Sequence, residues 1–414
     1  MKKIITLFIA FSFLMTSCSF MQDEADILQG KKAESDASLA EDENLPDNEG
    51  KTSEEKEEAY ERILDGMTLE EKIGQLFIVF PESLCPSSGG NYANKSGEKS
   101  STEFTREMSD AMDKYRVGGV VLFSKNIVSQ TQLPKFISDM QSASEIPMFI
   151  SVDEEGGRVA RIAGSNLFGA KKYKNMASVG ASGNTEAARD VGRTIGGYLK
   201  PLGFNLDFAP DADVNTNPKN IVIGDRSFGS DPKLVADMVC AQLDGMHEAG
   251  VMGCIKHFPG HGDTTADTHS GYVKIEKTWD ELKTCELIPF ISALDTTDMV
   301  MAAHITAVNI TKDGLPSSIS EEMISGKLRG ELGYDGVIIT DAMNMGAIAK
   351  NYTSADAAVK AIKAGVDIIL MPKDLGEAAD GLKEAVESGE ISEERIDESV
   401  SRILRLKQKY EIIK

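Results

Sequence analysis

Basic residues are scarce in this 414-residue chain: 44 lysines and arginines stand against 66 aspartates and glutamates, a formal net charge of −22. Such a balance argues against nucleic acid as a partner. Long apolar runs are missing as well, and the N-terminal stretch Ile4 to Met15 is too short to span a bilayer comfortably. Cysteines are few. Cys85, Cys240, Cys254 and Cys285 sit at spacings that match no metal motif, and a disulfide among them is open, with no pairing deducible from sequence. Cys254 falls inside an apolar run and reads as a small buried hydrophobe.

The short apolar stretch has another use. Met1-Lys2-Lys3 forms a basic start, Ile4 to Met15 an apolar middle, and Leu14-Met15-Thr16-Ser17-Cys18 the end of an export signal. That ending resembles a bacterial lipoprotein signal, which implies residues 1–17 are removed and Cys18 becomes the lipid anchor. From Asp23 to Glu58, fourteen acidic residues against four basic ones give a net of −10 with almost no aromatic or β-branched side chains. Residues 18–58 therefore read as a solvated tether holding the rest off a membrane surface.

From residue 59 onward the pattern alternates. Short apolar runs recur at Gly74–Phe80, Val117–Phe123, Pro147–Val152, Phe204–Ala209, Gly250–Ile255, Met299–Ala303, Gly336–Thr340 and Val366–Met371. Helix-length amphipathic segments lie between most of them, among them Gln130–Ser144, Pro232–Ala249, Glu281–Leu294, Glu321–Leu332 and Ser354–Ala364. A further helix is expected over Tyr60–Leu69, and Thr68 with Glu71 makes a capping box. Strands apolar on both faces need cover on both faces, so eight of them in βα alternation predict an α/β fold, a closed (β/α)8 TIM-type barrel, with no second domain after the last strand.

The densest chemistry lies in Lys256 to Ser270, which carries three of the five histidines together with Asp263 and Asp267. Pro259, Gly260 and Gly262 forbid a helix there, so the cluster is expected on a loop after the fifth strand. Other strands end in polar residues too: the third at Asp153 to Arg158, the fourth at Asp211 and Asp213, the sixth at His304, the seventh at Asp341. An Asp after a strand often caps the next helix, and a lone His is often a satisfied core group. Five such endings at one edge of a barrel describe one pocket instead.

Asp153-Glu-Glu-Gly-Gly-Arg-Val-Ala-Arg161, Gly224-Asp-Arg226-Ser-Phe-Gly, Lys256-His-Phe-Pro-Gly-His-Gly-Asp-Thr, Asp267-Thr-His269 and Thr340-Asp341-Ala-Met together resemble glycoside hydrolase family 3, in its β-N-acetylhexosaminidase branch. The resemblance runs from about Met67 to about Tyr410. It implies retaining hydrolysis: Asp341 attacks the anomeric carbon, and His269, oriented by Asp267, protonates the leaving oxygen and then activates water. An imidazole titrates near neutral pH, and two residues of separation on an extended loop put Asp267 and His269 on the same side. By the same resemblance Asp153, Arg161, Arg226, Lys256 and His257 hold the sugar, with no cofactor and no metal. His261 and Asp263 are expected to shape the loop, His304 to line the pocket, and Asp207 and Asp213 to support it from behind. The implied substrate is a terminal β-linked N-acetylglucosamine in peptidoglycan fragments or chitooligosaccharides, and no obligate protein partner is expected.

Three rivals remain at this point. A metal hydrolase would use His257, His261, Asp263 and His269 as ligands, but Lys256 intrudes and Pro259 and Gly260 break the helix a His-x-x-x-His pair needs. A lipid-anchored sugar-binding protein would be expected in two lobes. A β-glucosidase of the same family commonly takes its acid/base from another domain.

Overall fold

Runs such as Val120-Val121-Leu122 and Val337-Ile338-Ile339 are stable as strands only where both faces are covered. The computed structural model, which describes residues 53–85, 87, 92–93, 99–264 and 273–413, meets that demand with a ring of parallel strands. In chain order these are β1 (Phe77–Val79), β2 (Gly119–Leu122), β3 (Phe149–Val152), β4 (Leu206–Asp207), β5 (Met252–Phe258), β6 (Met299–Ala302), β7 (Val337–Thr340) and β8 (Ile369–Leu370). Each lies beside its chain neighbour, and β8 returns to β1. A parallel bridge between Ile339 and Ile368 joins β7 to the start of the last strand and closes the barrel. This is the eight-stranded α/β barrel expected from the sequence. Every residue of β1 to β8 is buried, and the helices form the outer layer.

The closest helix pair is Thr185–Leu199 against Pro232–Glu248. A Cβ on Gly192 would lie 2.1 Å from the Gln242 carbonyl oxygen, and one on Gly245 2.0 Å from that of Arg189. Any side chain at either position would force the helices apart.

Several boundaries differ from expectation. The first helix begins at Ser53, inside the stretch read as tether, and ends at Gly66; the Thr68–Glu71 capping box then starts a second helix that runs to Gln75 and shortens β1. Strand β5 continues to Phe258, so Lys256 and His257 sit on the strand itself and not on the loop beyond it. Glu281–Leu294 is two short helices, Trp279–Lys283 and Ile288–Ala293, with Pro289 in the first turn of the second, where its missing N–H costs nothing. Glu322–Glu331 winds as a π-helix, closed at its end by Leu332 N donating to Lys327 O at 2.9 Å. The helix Thr185–Leu199 was not anticipated. Cys85, Cys240, Cys254 and Cys285 form no disulfide with one another. The signal, Cys18, most of the tether, Asp267 and His269 lie outside the described residues. Among the described residues no helix is long and apolar enough to cross a membrane.

Candidate active site

Parallel strands deliver the residues that follow them to one mouth. Here a cavity of about 460 Å³ is lined by Asp153, Glu155, Arg161, Arg226, Lys256, His257, His261 and Asp341, with Phe123, Phe208 and Met345 among its apolar walls. All five expected sugar-holding residues and the expected nucleophile therefore share one wall.

Glu155, which the sequence displayed but did not single out, is the hub. It is 1% exposed. Arg226 grips it with both arms, Nε donating to Oε2 at 2.8 Å and Nη2 to Oε1 at 2.7 Å, and Lys256 Nζ lies 2.6 Å from Oε1. Burial would push this carboxyl up, but the Arg226 and Lys256 charges outweigh it and hold Glu155 far below the usual carboxylate range. Lys256 also donates to Asp153 Oδ1 at 2.8 Å, and Arg161 Nη2 stands 3.7 Å from Asp153 Oδ2. The Arg161 guanidinium lies over the Phe123 ring at 5.7 Å. Long cationic side chains are thus fixed before any ligand arrives.

His257 completes the chain of contacts. Its Nδ1 donates to Asp213 Oδ2 at 2.7 Å while its Nε2 accepts from Arg226 Nη2 at 3.2 Å. That pattern requires a neutral ring. Burial, then the Arg226 charge, brings its pKa down to about 4, in agreement. Asp213 also receives the His261 N–H at 2.5 Å, and Asp211 receives the Asp213 N–H at 2.9 Å. Burial raises both members of this aspartate pair, and Asp211, beside the Asp213 charge, goes up to about 8. Asp207 takes the Glu154 N–H at 2.8 Å, so Asp207 and Asp213 do act from behind the wall.

Asp341 follows β7 and is half-buried. Its own N–H donates to Ala302 O and its Oδ1 accepts from Ala342 N, each at 2.8 Å. Burial would raise its pKa, but His304, His257, the Ala342 N–H and Lys256 together keep it below the ordinary value. Asp341 is accordingly ionised at neutral pH. His304 is not in the cavity lining, contrary to expectation: it is fully buried, with Nε2 donating to Ala342 O at 2.9 Å and Nδ1 facing Ser318 Oγ at 2.7 Å. It steadies the peptide that follows Asp341. Asp263 turns away to Lys277 and Thr216, as a loop-shaping residue should. His261, by contrast, faces the cavity.

Among the described residues, Asp211, Asp213 and His257 bring ligand-type atoms within 4.8 Å of one another. The His257 nitrogen on that side is already donating to Asp213, and Arg226 Nε lies 3.5 Å from Asp211. The site is thus furnished with its own cation, and of the ligands a metal-hydrolase reading would use, Asp263 is engaged by Lys277 and Thr216 instead.

A parallel barrel whose mouth gathers an ionised aspartate and a ring of fixed cations and carboxylates belongs to the glycosidase class of sites: many hydrogen-bonding groups for a polyhydroxylated ligand, and a free carboxylate beside them. The Glycosyl hydrolase family 3 N terminal domain profile matches residues 68–406. The chain belongs to that family. It is 36% identical over 337 residues to beta-hexosaminidase A of Pseudoalteromonas piscicida, covering 74% of this chain and 56% of that protein. The solved structure of a family 3 beta-N-acetylglucosaminidase from Paenibacillus sp. str. FPU-7 superposes with a TM-score of 0.76 at 38% identity, over 84% of this chain and 63% of that one. LpqI of Mycobacterium tuberculosis superposes with a TM-score of 0.71 at 28% identity, over 83% of this chain and 95% of LpqI. The chain thus spans little more than half of the first relative and under two thirds of the second.

Proposed function

We propose that this protein is a retaining exo-β-N-acetylglucosaminidase that removes terminal β-linked N-acetylglucosamine from peptidoglycan fragments or chitooligosaccharides. The observation that carries the reading is the cavity itself, where an ionised Asp341 shares one wall with Asp153, Arg161, Arg226, Lys256 and His257. Asp341 attacks the anomeric carbon, its charge stabilising the oxocarbenium-like transition state, and forms a glycosyl-enzyme that water later cleaves. Asp153 accepts hydrogen bonds from sugar hydroxyls, while Arg161, Arg226, Lys256 and His257 complete the cradle.

The acid/base role falls to His269, oriented by Asp267. One feature of the wall supports an imidazole here. Glu155 is committed to Arg226 and Lys256, and Asp153 is ion-paired with Lys256, so neither lining carboxylate is placed to deliver a proton. The names of the relatives, a beta-hexosaminidase and a beta-N-acetylglucosaminidase, support the choice of sugar. Anchored through Cys18, the enzyme would act outside the cytoplasm. The test is turnover of a chromogenic N-acetyl-β-glucosaminide beside other β-glycosides, with Asp341→Ala as control. Release from the first, abolished in the variant, is expected; no release from any glycoside refutes the proposal.

A further inference from the structure

Buried polar side-chain atoms are almost always partnered, because leaving one bare costs about 1–3 kcal/mol. Among the described residues only a few such atoms have no partner, and of these only Arg161 Nε and His261 Nε2 belong to the wall of the active-site cavity. Arg161 is already placed in the sugar cradle. His261 is 2% exposed and, beyond the loop-shaping expected of it, has no role yet.

The contacts of His261 are all satisfied when Nδ1 carries the proton. Thr264 Oγ1 lies 2.7 Å from His261 Nδ1 and 2.9 Å from the His261 carbonyl oxygen. A hydroxyl has one proton, and the carbonyl can only accept, so Thr264 donates to the carbonyl. Nδ1–H then donates to Thr264 Oγ1, and both short contacts are satisfied. The reverse tautomer would set two oxygens 2.9 Å apart with no proton between them. Burial lowers the pKa of the ring, which keeps it neutral. Nε2 is left without a partner on a ring that lines the cavity, and Asp213, which accepts the His261 N–H, holds the backbone in place. Gly262, next in sequence, packs so tightly that a Cβ there would lie 1.9 Å from Val214 O. The ring is therefore rigidly presented.

We infer that His261 Nε2 is a substrate-binding acceptor, taking a hydrogen bond from an O–H or N–H of the sugar held beside Asp341. The inference rests on reading the cavity as a glycoside site. It makes His261 a contact residue and not only a shaper of the loop. Such a contact, present in both ground and transition states, is expressed in KM more than in kcat.

The experiment measures kcat and KM of the full-length protein with 4-nitrophenyl N-acetyl-β-glucosaminide for wild type, His261→Phe, His261→Ala and His261→Gln. Phe and Ala remove the acceptor at two different side-chain volumes. Gln replaces it with an amide oxygen. Loss of the contact is expected to raise KM roughly tenfold or more in the Phe and Ala variants, with kcat little changed, and Gln is expected to recover most of the loss. Aryl glycosides with a 2-hydroxyl, or with no substituent at C2, separate the donors. If the penalty of His261→Ala vanishes on the 2-deoxy sugar, the donor is on C2, and if it persists there, the donor is another hydroxyl; both outcomes support the contact. An unchanged KM in His261→Ala, or a Gln variant as damaged as the Ala variant, overturns it. A wild-type protein inactive on every glycoside would instead refute the glycosidase reading.

Discussion

Lys407, on the helix Glu393–Lys409, has no exposed surface, and its ammonium lies at the end of the barrel opposite the active site. Its Nζ donates to Gln75 Oε1 at 2.7 Å and stands 5.1 Å above the Phe149 ring, and among the described residues it has no salt bridge to a carboxylate. Burial brings its pKa from 10.5 down to about 7. The unfolded chain keeps this proton up to pH 10.5, whereas the folded chain releases it near 7, so the unfolded state binds more protons in between and stability climbs with pH across that window. At 1.36 kcal/mol per pH unit the span corresponds to about 5 kcal/mol, borne in full below pH 7. Lys407→Met removes that burden but leaves Gln75 Oε1 without its donor, costing about 1–3 kcal/mol. The variant is therefore expected to be more stable than wild type by about 2–4 kcal/mol at pH 6. The difference should shrink as pH rises and reverse near pH 10, where wild type has shed the charge and kept the hydrogen bond. Urea unfolding of both proteins at pH 6, 8 and 10 measures the difference directly. A variant less stable than wild type at pH 6, or a difference that does not vary with pH, refutes the reasoning.

Glu155→Gln is expected to destabilise the fold by about 3–5 kcal/mol, because buried Lys256 and Arg226 lose a shared carboxylate; a melting curve and the accompanying rise in KM check it, and a melting temperature equal to that of wild type would contradict it. His269→Ala should cost at least about a hundredfold on substrates with poor leaving groups and far less on activated aryl glycosides. Equal losses on both, read as kcat/KM, would remove His269 from the acid role. Cys18→Ala should move the protein from the membrane fraction to the soluble fraction after cell disruption, and persistence with membranes would point to another anchor.

How much of this was legible in the sequence depended on what each signal measures. The eight strands were readable because runs such as Val337 to Thr340 are apolar on both faces, which only a covered parallel strand tolerates. The helix Thr185–Leu199 was hidden because Gly192, Gly196 and Gly197 depress helix propensity, and the reason for Gly192 lies in a partner helix some fifty residues away. Apolar spacing does not separate α from π winding, so Glu322–Glu331 looked like an ordinary helix. The end of β5 was set too early because polar residues at Lys256 and His257 read as a loop; on the strand, both side chains are satisfied by Asp153, Glu155 and Asp213, residues from other strand ends. Glu155 escaped for the same reason: its role exists only once Arg226, seventy-one positions on, is brought to it.

That division of partners also explains how one mouth can hold both a cluster of fixed charges and the unpaired carboxylate of Asp341, the proposed nucleophile. A carboxylate locked in a direct ion pair is a poor nucleophile, since attack must first break the pair. Here the cations are spoken for: Arg226 is bound to Glu155, and Lys256 is shared between Glu155 and Asp153. Among the described residues no salt bridge reaches Asp341. Its charge is favoured by neighbouring imidazoles, the Ala342 N–H and the more distant Lys256, which together lower its proton affinity without occupying its attacking oxygen. Glu155 thus has two consequences from one geometry. It fixes Arg226 and Lys256, the proposed sugar contacts, in place, and it keeps them from collapsing onto Asp341. Removing its charge should for that reason impair attack as well as binding, and the kcat of Glu155→Gln should fall along with the rise in KM, whereas a change confined to KM would leave Glu155 with the first role alone.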